Sequence, residues 1–386
     1  MASVNTVDRS EDSTVLRVAF IGGGSGGHLF PAIAVARELL NADADCGFLF
    51  LTSDRHVDRQ VLDNSGLPDA AIQIEPYASM SSPHVVFRSV LRLRSLWLSL
   101  RKARHHLERF QPDIVVGLGA LASVPGVIAA SRMKFPIVLL EQNSLPGKAT
   151  RVLARRAKLT LFGLQCADTI LQTWASPFRI NGTQVRVEIQ KLAATPVSEI
   201  IARKRLLIIG GSQGAHALNQ IVMHAFADGL QIPSDWEIVH QTGHADVAVI
   251  CEFYQRHGIT ARVEAFLRDM PAELSAAGIA ISRAGAVSIQ ELACAGLPSI
   301  LLPLSTSAND HQMCNARLLE KTGAAIVIEE RHRNADVTTG AALGKLLNSV
   351  DERERLSSSI RTFASPNATV ETVRLLGKAV GENRWG

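Results

Sequence analysis

Cysteine, aromatic residues and an excess of charge of either sign are all scarce in this sequence. The five cysteines lie far apart, are odd in number and show no CxxC spacing, so we expect neither a disulfide framework nor a zinc knuckle and infer a reducing compartment. Aromatic residues make up 5% of the 386 residues, and the formal net charge is +4. Such a charge is too small to indicate a nucleic-acid partner by itself.

Long apolar runs are also scarce, and the one that approaches the length of a membrane span does not resemble a continuous helix. Residues 114–131 contain no charged residue and are close to the minimum length of a spanning helix. They begin like a strand and then hold three glycines and Pro125, which predicts a buried strand, a glycine turn and a helix instead. Residues 1–13 include three acids and precede no long apolar run, so we expect a flexible tail and no signal peptide.

Apolar strands that run into glycine turns and helical segments recur along the chain, whose length suits two domains of about 150–200 residues. We predict strands at residues 15–21, 47–51, 113–116, 136–140, 205–209, 237–240, 262–265, 279–282, 299–302 and 325–328. Strands separated by helices indicate a parallel sheet covered on both faces. Because the pattern restarts at residue 205, the sequence predicts an α/β protein with two doubly wound domains, 14–196 and 205–363, joined by a polar linker at 197–204.

The first glycine cluster, residues 22–27, follows a predicted strand and opens a helix in which Pro31 is expected near the first turn. Glycines at such a turn let the backbone approach a ligand, and the helix N-terminus favours an anion. The spacing fits the dinucleotide fingerprint, but Asp54 lies too far along the chain to be its ribose-binding acid. A nicotinamide enzyme is therefore a weak alternative. His28, directly after the glycines, is either a base in a cleft or a histidine that caps or packs the helix.

The second glycine cluster, residues 210–214, lacks the Gly-Lys-Ser/Thr of a nucleotide-hydrolysing P-loop. It still follows a strand and opens a helix at about Ala215. A diphosphate could rest on its N–H groups and on the Ser212 hydroxyl. The alternative is a tight turn with no ligand.

Two polar segments follow later strands of the second half, where ligand clefts form in α/β sheets. In the first, Glu291 lies in a predicted helix, Ala286–Ala295, and is either a ribose ligand or a solvated surface residue. The second is residues 309–315, in which Asp310 and His311 are adjacent. Adjacent residues do not have helical metal-ligand spacing and no HExxH occurs, so we predict no metal site.

A basic amphipathic helix is predicted over residues 86–110, and a second basic cluster occupies residues 148–158. These segments either form a core-facing helix with a solvated back or a face that contacts anionic lipid headgroups. Neither has the interleaved aromatic residues of a single-strand nucleic-acid groove, so no nucleic-acid partner is expected.

Taken together, the ordered motifs resemble the MurG family, glycosyltransferase family 28. The residues that carry the resemblance, between about residues 16 and 328, are 22–31, 141–143, 210–215 with Leu218 and Asn219, 240–243, Phe266 with Asp269 and Met270, 283–286 with Glu291, and 310–312 with Asn315 and Ala316. The resemblance implies a GT-B fold, in which two Rossmann-like doubly wound parallel-sheet domains face a cleft, and a C-terminal helix at 364–386 that returns to the first domain. It also implies inverting transfer of GlcNAc from UDP-GlcNAc to the C4 hydroxyl of lipid I during peptidoglycan synthesis, without a metal or other cofactor.

The resemblance assigns roles to particular residues. It implies His28 as the base and Glu141 as a second catalytic residue. The implied donor-binding residues are Ser25, Gly26, Gly27, Asn143, Gly211, Ser212, Gln213, Phe266, Leu267, Gly285, Ala286, Glu291, His311 and Gln312. The implied acceptor-binding residues are Gly23, Gly24, Gly119 and Ser123. The expected partners are UDP-GlcNAc, an undecaprenyl-linked acceptor, the anionic cytoplasmic face of the plasma membrane, and other cell-wall enzymes.

Several segments depart from the family pattern. Residues 194–198 stand where the family has Asn-Pro-Val-Arg and supply no arginine, so we expect that cation to be missing. The second loop of the first domain, around Gly117 and Gly119, lacks the family's tyrosine, and residues 77–80 replace a basic loop. Because the donor-side motifs are better kept, two alternatives stay open: a UDP-sugar transferase with another acceptor, and a noncatalytic nucleotide-sugar or lipid-binding protein.

Overall fold

The protein is described by a computed structural model at residues 15–24, 26–42, 45–78, 89–211, 214–305 and 310–381, without the side chains of 78 and 89–94. The described residues form two parallel β-sheets, of seven and six strands, each flanked by helices.

The first sheet has the strand order β3-β2-β1-β4-β5-β6-β7, and every neighbouring pair is parallel. Its strands are β1 Leu16–Ile21, β2 Cys46–Ser53, β3 Ile72–Ala78, β4 Ile114–Gly117, β5 Ile137–Glu141, β6 Leu159–Phe162 and β7 Phe178–Ile180. The central strands are buried except at Arg17 of β1, as apolar strands covered on both faces must be.

The second sheet has the order β10-β9-β8-β11-β12-β13 and is also parallel throughout. Its strands are β8 Arg205–Ile209, β9 Glu237–Gln241, β10 Ala261–Glu264, β11 Ile279–Ser282, β12 Ser299–Leu301 and β13 Ile326–Val327. Both sheets therefore have the doubly wound strand order that the alternation of strands and helices in the sequence predicted, and the fold prediction is confirmed.

Helices cover both faces of each sheet. They are α1 Gly26–Ala42, α2 His56–Asp63, α3 Ser89–Phe110, α4 Ala120–Arg132, α5 Lys148–Leu153, α6 Asp168–Leu171, α7 Val187–Gln190, α8 Val197–Ala202, α9 His216–Ala227, α10 Val247–Arg256, α11 Met270–Ala276, α12 Ala286–Ala295, α13 His311–Lys321, α14 Ala335–Asn348, α15 Val350–Ile360 and α16 Ala368–Val380. α16 packs against α1 and places Val373 and Leu376 in the core of the first sheet. α8 buries Ile200 in the core of the second.

Two details of the helices differ from the sequence-based expectation or decide between its alternatives. α1 begins at Gly26, so the expectation that Pro31 stands near the first turn is wrong and Pro31 lies inside the helix. Residues 114–131 form β4 and most of α4, as predicted for a strand, turn and helix. No helix among the described parts of the chain is both long and apolar enough to cross a membrane.

The glycine loops sit where each sheet reverses its winding. β1 and β4 are neighbours at the switch point of the first sheet, and β8 and β11 are neighbours at that of the second. In doubly wound sheets, the crevice outside the carboxyl ends of such strands is the place where ligands bind. The loops after these four strands therefore define the candidate site.

Candidate functional site

The loop after β1 is held in place by a buried carboxylate. The backbone N–H of Gly24 donates to both oxygens of Asp58, at 2.9 and 2.7 Å, and the Ser53 hydroxyl also donates to Asp58. Gly23 lies against the same carboxylate so closely that a side chain there would collide with it. Gly23 and Gly24 are thus at the cleft, but the Gly24 N–H is already engaged. Ser25 lies outside the described residues.

Asp58 is a site residue that the sequence analysis missed. It is 1% exposed and lies on α2, which begins shortly after β2 ends. An acid placed just beyond the carboxyl end of a central strand was the signal that could have identified it.

His28 lies in the first turn of α1, directly after Gly26 and Gly27, and faces Gly119 of the loop after β4. A methyl group added at Gly119 would lie 3.8 Å from Cδ2 of the His28 ring. Burial lowers the pKa of His28, the carboxylates of Glu141 and Asp58 oppose that effect, and His311 adds to it. An imidazole that is kept neutral beside two carboxylates has the properties of a general base.

Glu141 ends β5 and organises the loop that follows. Its Oε1 accepts from the Asn143 backbone N–H at 3.1 Å and from Asn143 Nδ2 at 3.2 Å. Its Oε2 accepts from Gly147 N at 2.9 Å and from Thr150 Oγ1 at 2.7 Å. Glu141 is only 4% exposed and accepts four hydrogen bonds, so its carboxylate is held in one position. Its negative charge raises the pKa of His28.

The loop after β5 meets α13 of the second domain. Asn315 Oδ1 accepts from Ser144 N at 2.9 Å and Ser144 Oγ at 3.0 Å, and Asn315 Nδ2 donates to Asn143 Oδ1 at 3.0 Å. His311 Nδ1 lies 2.9 Å from the carbonyl oxygen of Leu145. The structure thus brings Glu141 and Asn143 of one domain together with His311 of the other.

The two polar residues that begin α13 have defined orientations. Because a carbonyl oxygen can only accept, His311 Nδ1 is the protonated nitrogen and Nε2 is the acceptor of the neutral ring. Gln312 Oε1 accepts from Leu304 N at 2.9 Å, and this hydrogen bond fixes the orientation of the Gln312 side-chain amide. Of the polar segment 309–315, Asn309 lies outside the described residues.

The loop after β8 rests on the end of β9. The Gly210 N–H donates to the Gln241 carbonyl oxygen at 3.2 Å, and Gln241 Nε2 donates to the Gly211 carbonyl oxygen at 3.1 Å. Gly214 has a φ of +77°, and a Cβ there would lie 2.6 Å from the Thr242 carbonyl oxygen. Gly211 is at the surface of this loop, while Ser212 and Gln213 lie outside the described residues.

Glu291 and Arg186 form an ion pair within the cleft. Gly285 and Ala286 begin α12, and Glu291 lies further along it, with Oε1 3.8 Å from Arg186 NH2. Burial raises the pKa of Glu291 to about 7 although Arg186 lowers it. The expectation that the cation is missing is therefore wrong. Arg186 ends the segment Thr183-Gln184-Val185-Arg186, whose Val-Arg ending was the overlooked signal.

A cavity of about 440 Å³ adjoins this pair and has walls from both domains. Its lining includes Phe30 and Arg37 of α1, Arg186, and Arg268 and Asp269 of the loop before α11. Immediately before Arg268, Phe266 is 48% exposed whereas Leu267 is buried. An exposed aromatic ring two residues before the cavity-lining Arg268 is suited to a flat ligand group.

Ser123, like Leu267, is a predicted site residue whose side chain the structure keeps away from the cleft surface. It lies in α4, is fully buried and donates its hydroxyl to the Ala120 carbonyl oxygen at 2.9 Å. Gly119, at the N-terminus of the same helix, remains beside His28.

Helices α3, α4 and α5 of the first domain pack in that order and share an exposed apolar and basic surface. Exposed apolar side chains on it are Leu96, Trp97, Leu98, Leu121 and Val152. Arg101 lies over the Trp97 ring at 5.7 Å, and basic residues continue along α5 and beyond it at 155 and 156. Residues 86–88 of the predicted basic helix are outside the described residues.

Two Rossmann-like domains whose glycine loops and polar side chains converge on one cleft define the GT-B class of glycosyltransferases. Family comparison agrees: residues 18–161 match the glycosyltransferase family 28 N-terminal domain, and residues 205–365 match its C-terminal domain. The chain belongs to the MurG family of glycosyltransferase family 28.

Individual relatives cover most of the chain. The UDP-N-acetylglucosamine--N-acetylmuramyl-(pentapeptide) pyrophosphoryl-undecaprenol N-acetylglucosamine transferase of Syntrophus aciditrophicus is 37% identical over 82% of this chain and 86% of its own length. The enzyme of the same name from Anaeromyxobacter sp. strain K is 32% identical over 96% and 94%. The crystal structure of Acinetobacter baumannii MurG superposes with a TM-score of 0.72 at 27% identity, covering 94% of this chain and 99% of that chain.

Proposed function

We propose that this protein transfers GlcNAc from UDP-GlcNAc to the C4 hydroxyl of the MurNAc of undecaprenyl-pyrophosphoryl-MurNAc-pentapeptide, with inversion at the anomeric carbon. The observation that carries the proposal is the meeting of His28 and Glu141 with His311 and Asn315 across the cleft. Family membership over most of the chain supports this acceptor over another lipid or glycan.

On the acceptor side, His28 is proposed as the base. Inversion requires the C4 hydroxyl to attack from the face opposite the departing UDP, and His28 takes the proton as the new bond forms. Its neutral state, favoured by burial, makes a lone pair available at neutral pH. Glu141 supports the imidazolium that forms, and its four hydrogen bonds keep the carboxylate fixed while it does so.

On the donor side, the proposed contacts run along the second domain. Glu291 accepts from the ribose hydroxyls, and the exposed ring of Phe266 flanks the uracil. The side chain of Leu267, expected as the second flank, is buried in the core of the second domain and holds the loop instead. The diphosphate rests on the loop after β8, at Gly211, Ser212 and Gln213, with Gly285 and Ala286 at the start of α12. His311 and Gln312 face the sugar hydroxyls, together with Asn143 and residues 25–27 of the first domain. Backbone N–H groups at helix N-termini stabilise negative charge on the departing UDP.

The acceptor pyrophosphate is proposed to approach the loops after β1 and β4, at Gly23, Gly24 and Gly119. Since Asp58 accepts from the Gly24 N–H, the attraction to phosphate must come from other N–H groups of these loops. Ser123 contributes by holding the first turn of α4 rather than by direct contact.

We further propose that the surface of α3, α4 and α5 rests on an anionic membrane, at the cytoplasmic face of the plasma membrane. Exposed Trp97 and Leu98 beside Arg101 and Arg104 combine apolar insertion with attraction to acidic headgroups. Such a surface would bring the acceptor loops close to a lipid-linked substrate, and it would be available to other cell-wall enzymes.

The test is transfer of radiolabelled GlcNAc from UDP-GlcNAc to a soluble lipid I analogue, with the stereochemistry of the product read by NMR. We expect a β-linked disaccharide from the purified protein. Binding of UDP-GlcNAc without any labelled product would contradict the proposed acceptor, and absence of binding would contradict the proposed donor.

A further inference from the structure

Asn315 is a fully buried residue whose side-chain amide is saturated by groups of the protein itself. Its oxygen accepts two hydrogen bonds from Ser144, and its nitrogen donates to Asn143 Oδ1 at 3.0 Å and to the Ala284 carbonyl oxygen at 3.2 Å. A carboxamide offers two donors and two acceptor positions, and here all four are used. Three of these bonds cross from the second domain to the first.

Asn143 continues the chain of hydrogen bonds into the first domain. Its oxygen accepts from Asn315, while its nitrogen donates to Glu141 Oε1 at 3.2 Å. Glu141 in turn acts on His28 through its charge. The position of a donor-domain residue is thus connected, through two amides, to the carboxylate beside the proposed base.

From this arrangement we propose that Asn315 and Ser144 are positioning residues for the transfer reaction: through Asn143, they secure the side-chain hydrogen bond that completes the orientation of the Glu141 carboxylate when the two domains are closed, while three bonds within the first domain hold it in either state. The inference rests on the proposed function, since it assigns the base to His28. Neither residue touches the substrate in this role. They act through Asn143 and Glu141.

The physical reason is that a buried polar network is stable when every member is paired and costly when one partner is lost. If the domains separate, the Asn315 amide and the Asn143 oxygen must find water instead. Asn143 is then free to turn away from Glu141 Oε1. The network therefore favours two discrete arrangements, closed and open, over a continuum.

A second contact supports the same relative position of the two domains. His311 Nδ1 donates to the Leu145 carbonyl oxygen at 2.9 Å, one residue beyond Ser144. Closure therefore places His311, a proposed sugar contact, and Glu141 in a fixed relation. A single domain closure would thus position the donor site and the proposed base relative to each other.

The test compares Ser144→Ala and Asn315→Asp with Ser176→Ala. Asn315→Asp keeps the shape but removes both N–H donors. Ser176→Ala is the matched control, because Ser176 is a buried serine whose hydroxyl bonds to Thr160 at 2.9 Å within the first domain. For Ser144→Ala we expect kcat to fall about tenfold, the loss of roughly one buried hydrogen bond, with the Kd for UDP within about twofold of the unaltered protein.

The pH profile separates a positioning role from a merely structural one. Glu141 raises the pKa of His28, so a loosened carboxylate should move the acidic limb of the kcat profile to lower pH in both variants, but not in Ser176→Ala. A kcat and a profile equal to those of Ser176→Ala would overturn the proposal. So would a fall in kcat matched by an equal fall in UDP affinity, since the contacts would then serve the donor site alone.

Small-angle scattering with UDP bound provides a readout that does not depend on turnover. We expect a larger radius of gyration for Asn315→Asp than for the unaltered protein, and equal radii would contradict the closure role. If the unaltered protein transfers no GlcNAc, the proposed function fails, and the scattering comparison still decides whether Asn315 closes the domains.

Discussion

Arg186 places its guanidinium 3.8 Å from the carboxylate of Glu291, joining the segment before α7 to the middle of α12. Glu291 is 19% exposed at its side chain, and burial raises its pKa to about 7. The charged group that opposes this rise is Arg186, which lowers the pKa of Glu291, and Glu291 in turn raises the pKa of Cys294 on the same helix. The carboxylate that we propose as the acceptor of the ribose hydroxyls therefore titrates close to neutral pH.

Nucleoside binding should accordingly weaken as the pH falls. Only ionised Glu291 accepts from both ribose hydroxyls, so with a pKa of about 7 we expect the Kd for uridine to rise about tenfold from pH 8 to pH 6. Uridine is the probe because it carries no titrating phosphate, and NMR titration is the measurement. Arg186→Gln removes the group that lowers the Glu291 pKa and should move this transition to higher pH.

The control for this prediction is Glu291→Gln, which should bind uridine weakly and with no such transition. If Arg186→Gln weakens binding equally at every pH, Arg186 contacts the ligand directly and does not tune Glu291.

Removing the proposed base should separate turnover from binding. For His28→Ala we expect kcat to fall by about 10²- to 10⁴-fold, the usual contribution of a general base. The Kd for UDP should stay within about twofold, since the proposed contacts to UDP lie in the second domain. His257→Ala is the control, because His257 is an exposed histidine of the second domain that contacts Phe253. A large loss of UDP affinity in His28→Ala would argue against a base on the acceptor side.

The loop after β8 depends on a glycine that no other residue can replace without strain. Gly214 combines a φ of +77° with only 2.6 Å between an added Cβ and the Thr242 carbonyl oxygen. Gly214→Ala should displace the loop and weaken UDP binding by about tenfold, in line with a strain of 1–3 kcal/mol. Gly229→Ala is the matched control, with a φ of +95° but open space around the added methyl group. Calorimetric titration with UDP would show equal losses in the two variants if steric contact with Thr242 were unimportant.

The sheets were predictable from sequence where strands are buried on both faces. β1, β8 and β11 are mostly apolar runs that lead into glycine turns, and such runs have few alternatives in a globular protein. β3, β6 and β7 were not predicted. β3 contains Pro76 and lies at an edge, and β7 is a short, largely exposed edge strand. An edge strand pairs with a neighbouring strand on one side only, so it tolerates proline and polar residues and lacks the continuous apolar pattern of a central strand.

The candidate site was predictable in its glycine loops but not in its charged partners. Loops at the ends of strands follow from topology, so His28, Gly211 and Glu291 were expected near one cleft. Arg186 and Asp58 have only short local signals, a Val-Arg ending and an acid just beyond a central strand, which do not reveal their partners. Asn315 depends on how two separate domains meet. Such long-range contacts have no period or spacing in sequence by which to find them.

The exposed surface of α3, α4 and α5 makes a prediction about membrane contact. Trp97 is 57% exposed and packs its ring beneath the Arg101 guanidinium at 5.7 Å, so Trp97→Glu removes an interfacial aromatic side chain and places an acid beside the basic residues. We expect binding to vesicles rich in phosphatidylglycerol to weaken by at least about fivefold, as lost apolar contact and headgroup repulsion act together.

Val249→Glu on α10 is the control for this prediction, since Val249 is 54% exposed in the second domain. Vesicle co-sedimentation at constant salt measures the effect, and an equal loss in both variants would mean that added negative charge, rather than this surface, weakens binding. Transfer to the soluble lipid I analogue should be unchanged in Trp97→Glu, because none of the proposed catalytic or binding residues lies on α3 and the proposed role of this helix is membrane contact.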